Sequence, residues 1–227
     1  MSREAFISSV CAGVLAAIGL AGPVSAACTP DPQGDFLATY TGPHVGEVDI
    51  RCIDVRLHAG VFKITVTADD IIGGSGKSYF VLGINRGAGI PRLQFIGAPP
   101  PLRPDLNFDA ILLAYTNGPP DFSVLPPPNF VSLPGAVSIS GDTLTAWLPL
   151  SYLPSTGFTP ENYEFTVWTD YQVTGQIGDA NNNYIPDFSS TIHPSVPEPA
   201  SWAMMLGGFG AIGGAMRSRR KAAVAFG

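Results

Sequence analysis

An all-β fold, an antiparallel β-sandwich or jelly roll, is predicted by three observations. Apolar residues alternate at period two in several interior segments. Glycine and proline are abundant, 26 and 22 of 227 residues, while charged residues make up only 13%, a loop-rich composition. No helical pattern long enough to serve as a crossover separates the apolar runs, which argues against a parallel sheet. Two apolar segments near the chain ends stand apart from this body, as a signal helix and a single transmembrane helix. The body assigned between them, residues 28–188, has the length of one domain with one core.

The clearest strand covers 61–68, where Phe62, Ile64, Val66 and Ala68 share one face and Lys63, Thr65 and Thr67 the other. Upstream, 48–57 alternates with a change of phase. Val48, Ile50 and Cys52 point one way, and Ile53, Val55 and Leu57 continue out of step, which predicts a β-bulge or a strand that switches sheets. Residues 79–84 and 110–115 are continuous apolar runs, as in strands covered on both faces. Residues 136–140 and 143–148 flank Gly141-Asp142, a two-residue hairpin signal. The stretch 163–171 alternates again and adds aromatic mass to the core. About eight to ten strands follow from these patterns. Pro149 and Pro154 bound the one helical candidate of the body, a short turn at 150–153. The proline-rich stretches 99–104 and 119–128 are expected as surface loops, because proline cannot donate to a central ladder. Residues 189–196 are expected to form a linker.

At the N-terminus, Arg3 precedes an apolar run over 10–20 and the small-residue pattern Val24-Ser25-Ala26. This fits cleavage by signal peptidase after Ala26 or Ala27, so residues 1–27 are expected to be a signal peptide. A lipoprotein signal competes, since Cys28 follows Ser25-Ala26-Ala27, but the leucine usual three residues before a modified cysteine is missing. Cleavage removes Cys11 and leaves Cys28 and Cys52 in a compartment where thiols oxidise. A Cys28–Cys52 disulfide is expected, with two free thiols as the alternative. Closing a loop of about 25 residues is worth roughly 3 kcal/mol by the chain-entropy argument. Two thiolates without neighbouring histidines fall short of a zinc set.

After Val196 the chain reads Pro197-Glu198-Pro199, then Ala200-Ser201-Trp202-Ala203, then an apolar glycine-rich run to Met216 and the basic cluster Arg217, Arg219, Arg220 and Lys221. The segment 200–216 has no polar face and lies at the short end for a membrane helix, and the basic stop places its C-terminal end in the cytoplasm. The tail as a whole, 197–221 followed by the short end 222–227 with Val224-Ala225-Phe226, resembles the PEP-CTERM sorting signal in its tryptophan-alanine variant. That signal is also labelled an ice-binding protein C-terminal domain, a name that carries no evidence of ice binding here. The resemblance implies an inner-membrane intermediate and recognition of Pro197, Glu198, Pro199 and Trp202 by an exosortase-type membrane protease. It further implies release or attachment at the cell surface, alongside exopolysaccharide.

Between residues 28 and 195, seven Lys and Arg face sixteen Asp and Glu, a net charge of −9. Such a surface repels nucleic acid and anionic lipid, so nucleic-acid partners are excluded, while neutral sugars and divalent cations remain compatible. Gly73-Gly74-Ser75-Gly76-Lys77-Ser78 looks like a phosphate loop, but Ile71 stands where the first glycine is required and a strand follows instead of a helix. A turn between strands is expected there. Asp179, Asn181, Asn183 and Asp187 have the spacing of a calcium-wrapping loop, against which Tyr184 replaces the turn glycine and Ser190 the closing glutamate. The opening of the body, from Asp31-Pro32-Gln33-Gly34-Asp35 to Val48-Asp49-Ile50, resembles that of DOMON-like and carbohydrate-binding sandwiches. That resemblance makes Asp31, Asp35 and Asp49 a second candidate calcium set, with aspartate turn capping as the other explanation. The body as a whole, including 83–89 and 153–158, also resembles uncharacterised domains found ahead of such tails.

His44, His58 and His193 have no neighbouring nucleophile constellation, and no local motif selects a pair among the carboxylates. Trp147 and Trp168 lie in strand patterns and are assigned to the core in preference to a sugar platform. The expectation is therefore a non-enzymatic exported module that binds or builds extracellular polysaccharide matrix, with no cofactor beyond a structural calcium. A secreted carbohydrate-active hydrolase and a passive adhesion or coat protein are the alternatives.

Overall fold

A computed structural model describes residues 28–91, 106–125, 129–172, 184–195, 208–210 and 212. The expected signal peptide 1–27 and the proline stretch 99–104 lie outside the described residues. Two five-stranded antiparallel sheets pack face to face, as the alternation predicts. The first has the order β1 (Thr29–Pro30), β2 (Ile50–His58), β3 (Val61–Ala68), β11 (Thr143–Pro149), β10 (Val137–Ser140). The second has the order β12 (Glu164–Tyr171), β4 (Ser78–Asn85), β7 (Ala110–Tyr115), β8 (Asp121–Val124), β9 (Val131–Ser132). A two-stranded ribbon pairs β5 (Ile90–Pro91) with β6 (Asn107–Phe108).

The inner faces come from the predicted alternation. Phe62, Ile64 and Val66 of β3 meet Phe80, Leu82 and Ile84 of β4 in a core that also takes Phe165 and Val167 of β12. The phase change in β2 is a register shift between Ile50 and Cys52, which leaves Arg51 as the bulged residue. The hairpin at Gly141-Asp142 forms with Gly141 at φ +62°, in the left-handed region a tight turn demands. Helical character at 150–153 is a single 3-10 turn, Leu150–Tyr152.

Three features depart from the sequence expectations. Part of the proline stretch 119–128 is strand β8 inside the second sheet, because Asp121–Val124 is free of proline and turns Phe122 into the core. The outer face of the second sheet is not solvated. Leu106, Phe108, Ile185 and Phe188 cover Val81, Ile111 and Trp168 there, which explains why β4 and β7 read as unbroken apolar runs. The stretch 189–195, expected within a linker, runs along the sandwich with residues 184–188. Phe165 and Ile192 exchange both backbone hydrogen bonds, Ser189 N–H donates to Val167 O, and Thr169 N–H donates to Asp187 O. At its end Ser195 N–H donates to Val55 O and Leu57 N–H donates to Ser195 O. This strap thus covers the edge of β12 and reaches β2 of the opposite sheet, leaving fewer backbone groups open to another chain.

Candidate functional site

The disulfide Cys28–Cys52 is present, with the two Cα atoms 5.8 Å apart. It holds β1 against β2, in the register Thr29 to Ile53, and so fixes the turn that follows. On that turn stand Asp31 and Asp35, and the strap brings Asp187 to them from far along the chain. Ligand oxygens of Asp31, Asp35 and Asp187 all lie within 4.8 Å of one another. The structure therefore unites members of the two calcium sets that spacing kept apart. Asp49 does something different. Buried, it accepts a hydrogen bond from Gly34 N–H at 2.8 Å and so ties down the same turn. Asp179, Asn181 and Asn183 lie outside the described residues.

Electrostatics at this cluster are unfavourable to bare carboxylates. Burial pushes the Asp187 carboxyl up to about 7, and Asp31 and Asp35 push in the same direction, against hydrogen bonds from Ile50 N–H and Phe188 N–H. Asp49 is also raised, first by burial and then by Asp69 and Asp35. Asp35 is exposed and the other two members are buried, so an oxygen-loving divalent cation could enter from the Asp35 side.

A second feature lies on the outer face of the first sheet. The register sets Ser140, Thr143 and Thr67 in one row and Ser138, Thr145 and Thr65 in the next. These six hydroxyl-bearing residues carry no ionised group. In the third row Trp147 stands beside Lys63, which stands beside Arg56. Trp147 is 40% exposed, whereas Trp168 is buried against Phe108 and Phe188. The expectation that both tryptophans belong to the core therefore holds for Trp168 and fails for Trp147, whose position in β11 is the outward phase of the alternation. Trp147 and Tyr152 line a groove of about 360 Å³ together with Pro134, Pro149 and Ser132. Tyr152 is 41% exposed and meets the buried Phe122 ring edge-on at 6.0 Å. Sequence signals for this site existed in the outward phase of Trp147 and the prolines beside it, but nothing in the sequence brought Tyr152 or Ser132 to them.

The apparent phosphate loop has another use. Gly73 N–H and Ser75 N–H donate to Oε2 of Glu47, at 3.0 and 3.2 Å, so a protein carboxylate occupies the amides that a phosphate would need. The loop leads into β4, as expected of a turn between strands. His44 is stacked on Phe36 with centroids 4.3 Å apart, His58 ends β2, and His193 lies in the strap.

The sorting residues Pro197, Glu198, Pro199 and Trp202 and the basic cluster Arg217, Arg219, Arg220 and Lys221 lie outside the described residues. Of the expected membrane helix 200–216, residues 208–210 and 212 are described and helical; among the described residues no helix is long and apolar enough to cross a membrane. Residues 195–221 match the family model of the PEP-CTERM protein-sorting motif. A β-sandwich ending in such a motif is an exported protein that passes through a membrane-anchored intermediate and is processed by an exosortase-type membrane protease. This chain is a PEP-CTERM sorted protein. No curated protein and no solved structure matches it.

Proposed function

We propose that the sandwich is a non-catalytic module that works at the cell surface, in or on the extracellular polysaccharide, after the sorting tail has been processed. The observation that carries this reading is the junction of the two parts: the strap that closes the sandwich runs directly into the matched motif, so the body delivered by sorting is the folded β-domain itself. Its acidic charge disfavours anionic partners and leaves neutral glycans open to it. Calcium held by Asp31, Asp35 and Asp187 acts structurally, fastening the strap to the disulfide-bonded N-terminal turn.

The test is co-sedimentation of the exported protein, purified from producing cells, with that strain's own extracellular polysaccharide, in calcium and in chelator. Retention on the polysaccharide is the expected result. Absence of retention in both conditions sinks the matrix-binding reading.

A further inference from the structure

The outer face of the first sheet has the chemistry of a ligand surface, and we propose that it binds a neutral polysaccharide chain, with one sugar ring stacked on Trp147 beside Tyr152. The proposal rests on the matrix-binding reading and names the site and the ligand class for it.

The rows of hydroxyls are distinguished by what they lack. Thr65, Thr67, Thr145, Ser138 and Ser140 offer donors and acceptors without ionised groups, and Thr143, which donates to Asp142 Oδ1 at 2.8 Å, offers an acceptor, on a protein whose body is otherwise strongly acidic. Rows of same-face side chains on neighbouring strands lie about 4.8 Å apart across the strands and about 7 Å apart along them. An extended hydroxyl-rich chain meets such an array with one partner after another. An anionic polymer meets mixed charges there: Lys63 stands beside Trp147, while Asp54 stands beside Thr65 and pairs with Arg56, Nε to Oδ2 at 2.6 Å.

At the end of the array the chemistry changes from hydroxyl to aromatic. A pyranose has an apolar face of C–H groups and an equatorial rim of hydroxyls, which is the complement of an exposed ring flanked by polar groups. Trp147 is held at its backbone by a hydrogen bond to Ala136 O at 2.8 Å, and Tyr152 by its edge contact with Phe122. Pro134 and Pro149 stiffen the walls of the groove between them. The Tyr152 ring, fixed in this way, loses little freedom on binding, so its contact area converts into affinity with a small entropic loss. An aromatic pair buried for folding has no such exposure, and Trp168 on the opposite sheet shows the contrast.

The test is native affinity electrophoresis of the exported protein through gels holding a neutral glucan, mannan or galactan, with polygalacturonate as the anionic control. The same proteins are also run against the strain's own polysaccharide. Retardation by at least one neutral glycan and not by polygalacturonate is expected. Trp147→Ala should weaken it by about tenfold or more, the scale of a lost aromatic contact, while Trp147→Phe retains most of it. The pair Thr65→Val with Thr145→Val keeps the strand propensity, removes two hydroxyls and should weaken it several-fold. Thermal melts of each variant separate lost binding from lost folding. If the strain's polysaccharide retains the wild type and Trp147→Ala equally, the site is wrong and the matrix reading survives. Failure of the wild type on every glycan, neutral or native, overturns both. Retardation by polygalacturonate alone overturns the ligand class. A wild-type dimer that Trp147→Ala converts to a monomer overturns the proposal in favour of a self-association face.

Discussion

Arg86 and Asp109 form a buried ion pair in which the guanidinium Nε lies 3.0 Å from Oδ1, with both side chains almost inaccessible to water. The same Oδ1 accepts Arg86 N–H, Oδ2 accepts the Thr156 hydroxyl, and Arg86 Nη1 donates to Pro154 O. The pair thus pins the 153–158 loop onto the end of β4. Removing one partner strands a charge without its counter-ion, and Asp109→Ala should cost about 3–5 kcal/mol by urea denaturation. The double replacement Arg86→Met with Asp109→Leu should cost clearly less than the two single changes combined.

A calcium titration followed by melting temperature checks the cation cluster. The wild type should melt higher in calcium than in chelator, since a ligand that binds only the folded state stabilises it. Asp35→Asn, an exposed change that spares the fold, should abolish the difference without lowering the melting temperature in chelator. A wild-type melting temperature insensitive to calcium removes the site.

Acid and base stability follow from Asp187 and Asp170. Burial raises the Asp170 carboxyl to about 8 although the Tyr79 hydroxyl donates to it, and Asp187 stands at about 7. Both bind protons more tightly folded than unfolded, where an aspartate titrates near 3.9. Between about pH 4 and pH 8 the folded state therefore holds the extra protons, and stability falls as pH rises through this window. In chelator the protein should be more resistant to denaturant at pH 5 than at pH 8.5, and Asp170→Asn should flatten the profile by raising the alkaline arm. Calcium should remove the part due to Asp187, since the cation favours its ionised form.

Gly83 supports the second core. A Cβ there would sit 2.9 Å from Trp168 Cζ3 and 3.4 Å from Phe108 Cγ, so Gly83→Ala must displace the indole. A loss of about 1–3 kcal/mol, the usual overpacking range, is expected with a change in the near-ultraviolet dichroism of Trp168.

Reduction provides the last check. Cys28→Ser with Cys52→Ser should lower stability by roughly 3 kcal/mol and also weaken the calcium response, since β1 carries the turn that presents Asp31 and Asp35.

Longer strands were legible in the sequence: β3 matches its predicted range through its period and β7 through its unbroken apolar run, and the phase change in β2 located its bulge to within a residue. Two-residue strands such as β1, β6 and β9 carry no period and were invisible. The strap escaped for another reason. Its buried side chains Ile185, Phe188 and Ile192 do not follow the period of a strand, and its backbone hydrogen bonds to β12 and β2 leave no trace in side-chain pattern. The cation cluster was half legible, because each candidate set held some of the right carboxylates, but Asp187 meets Asp31 only through long-range pairing of the strap. Trp147 was misassigned because its aromatic bulk was weighed above its phase, which it shares with the polar Thr143 and Thr145.

The anchoring of Ser195 has a mechanical corollary for sorting. Pro197 lies two residues further on and Ala200 five, a reach of about 7 Å and about 18 Å even when fully stretched. A protease in the bilayer must therefore grip its signal with the globular body pressed close to the headgroups, or first unzip the strap from β12. In the first case, bulk near the tail hinders cleavage. In the second, every contact that fastens the strap, Asp187 included, sets how fast the tail is processed, so that the clasp of the fold doubles as a timer for cleavage.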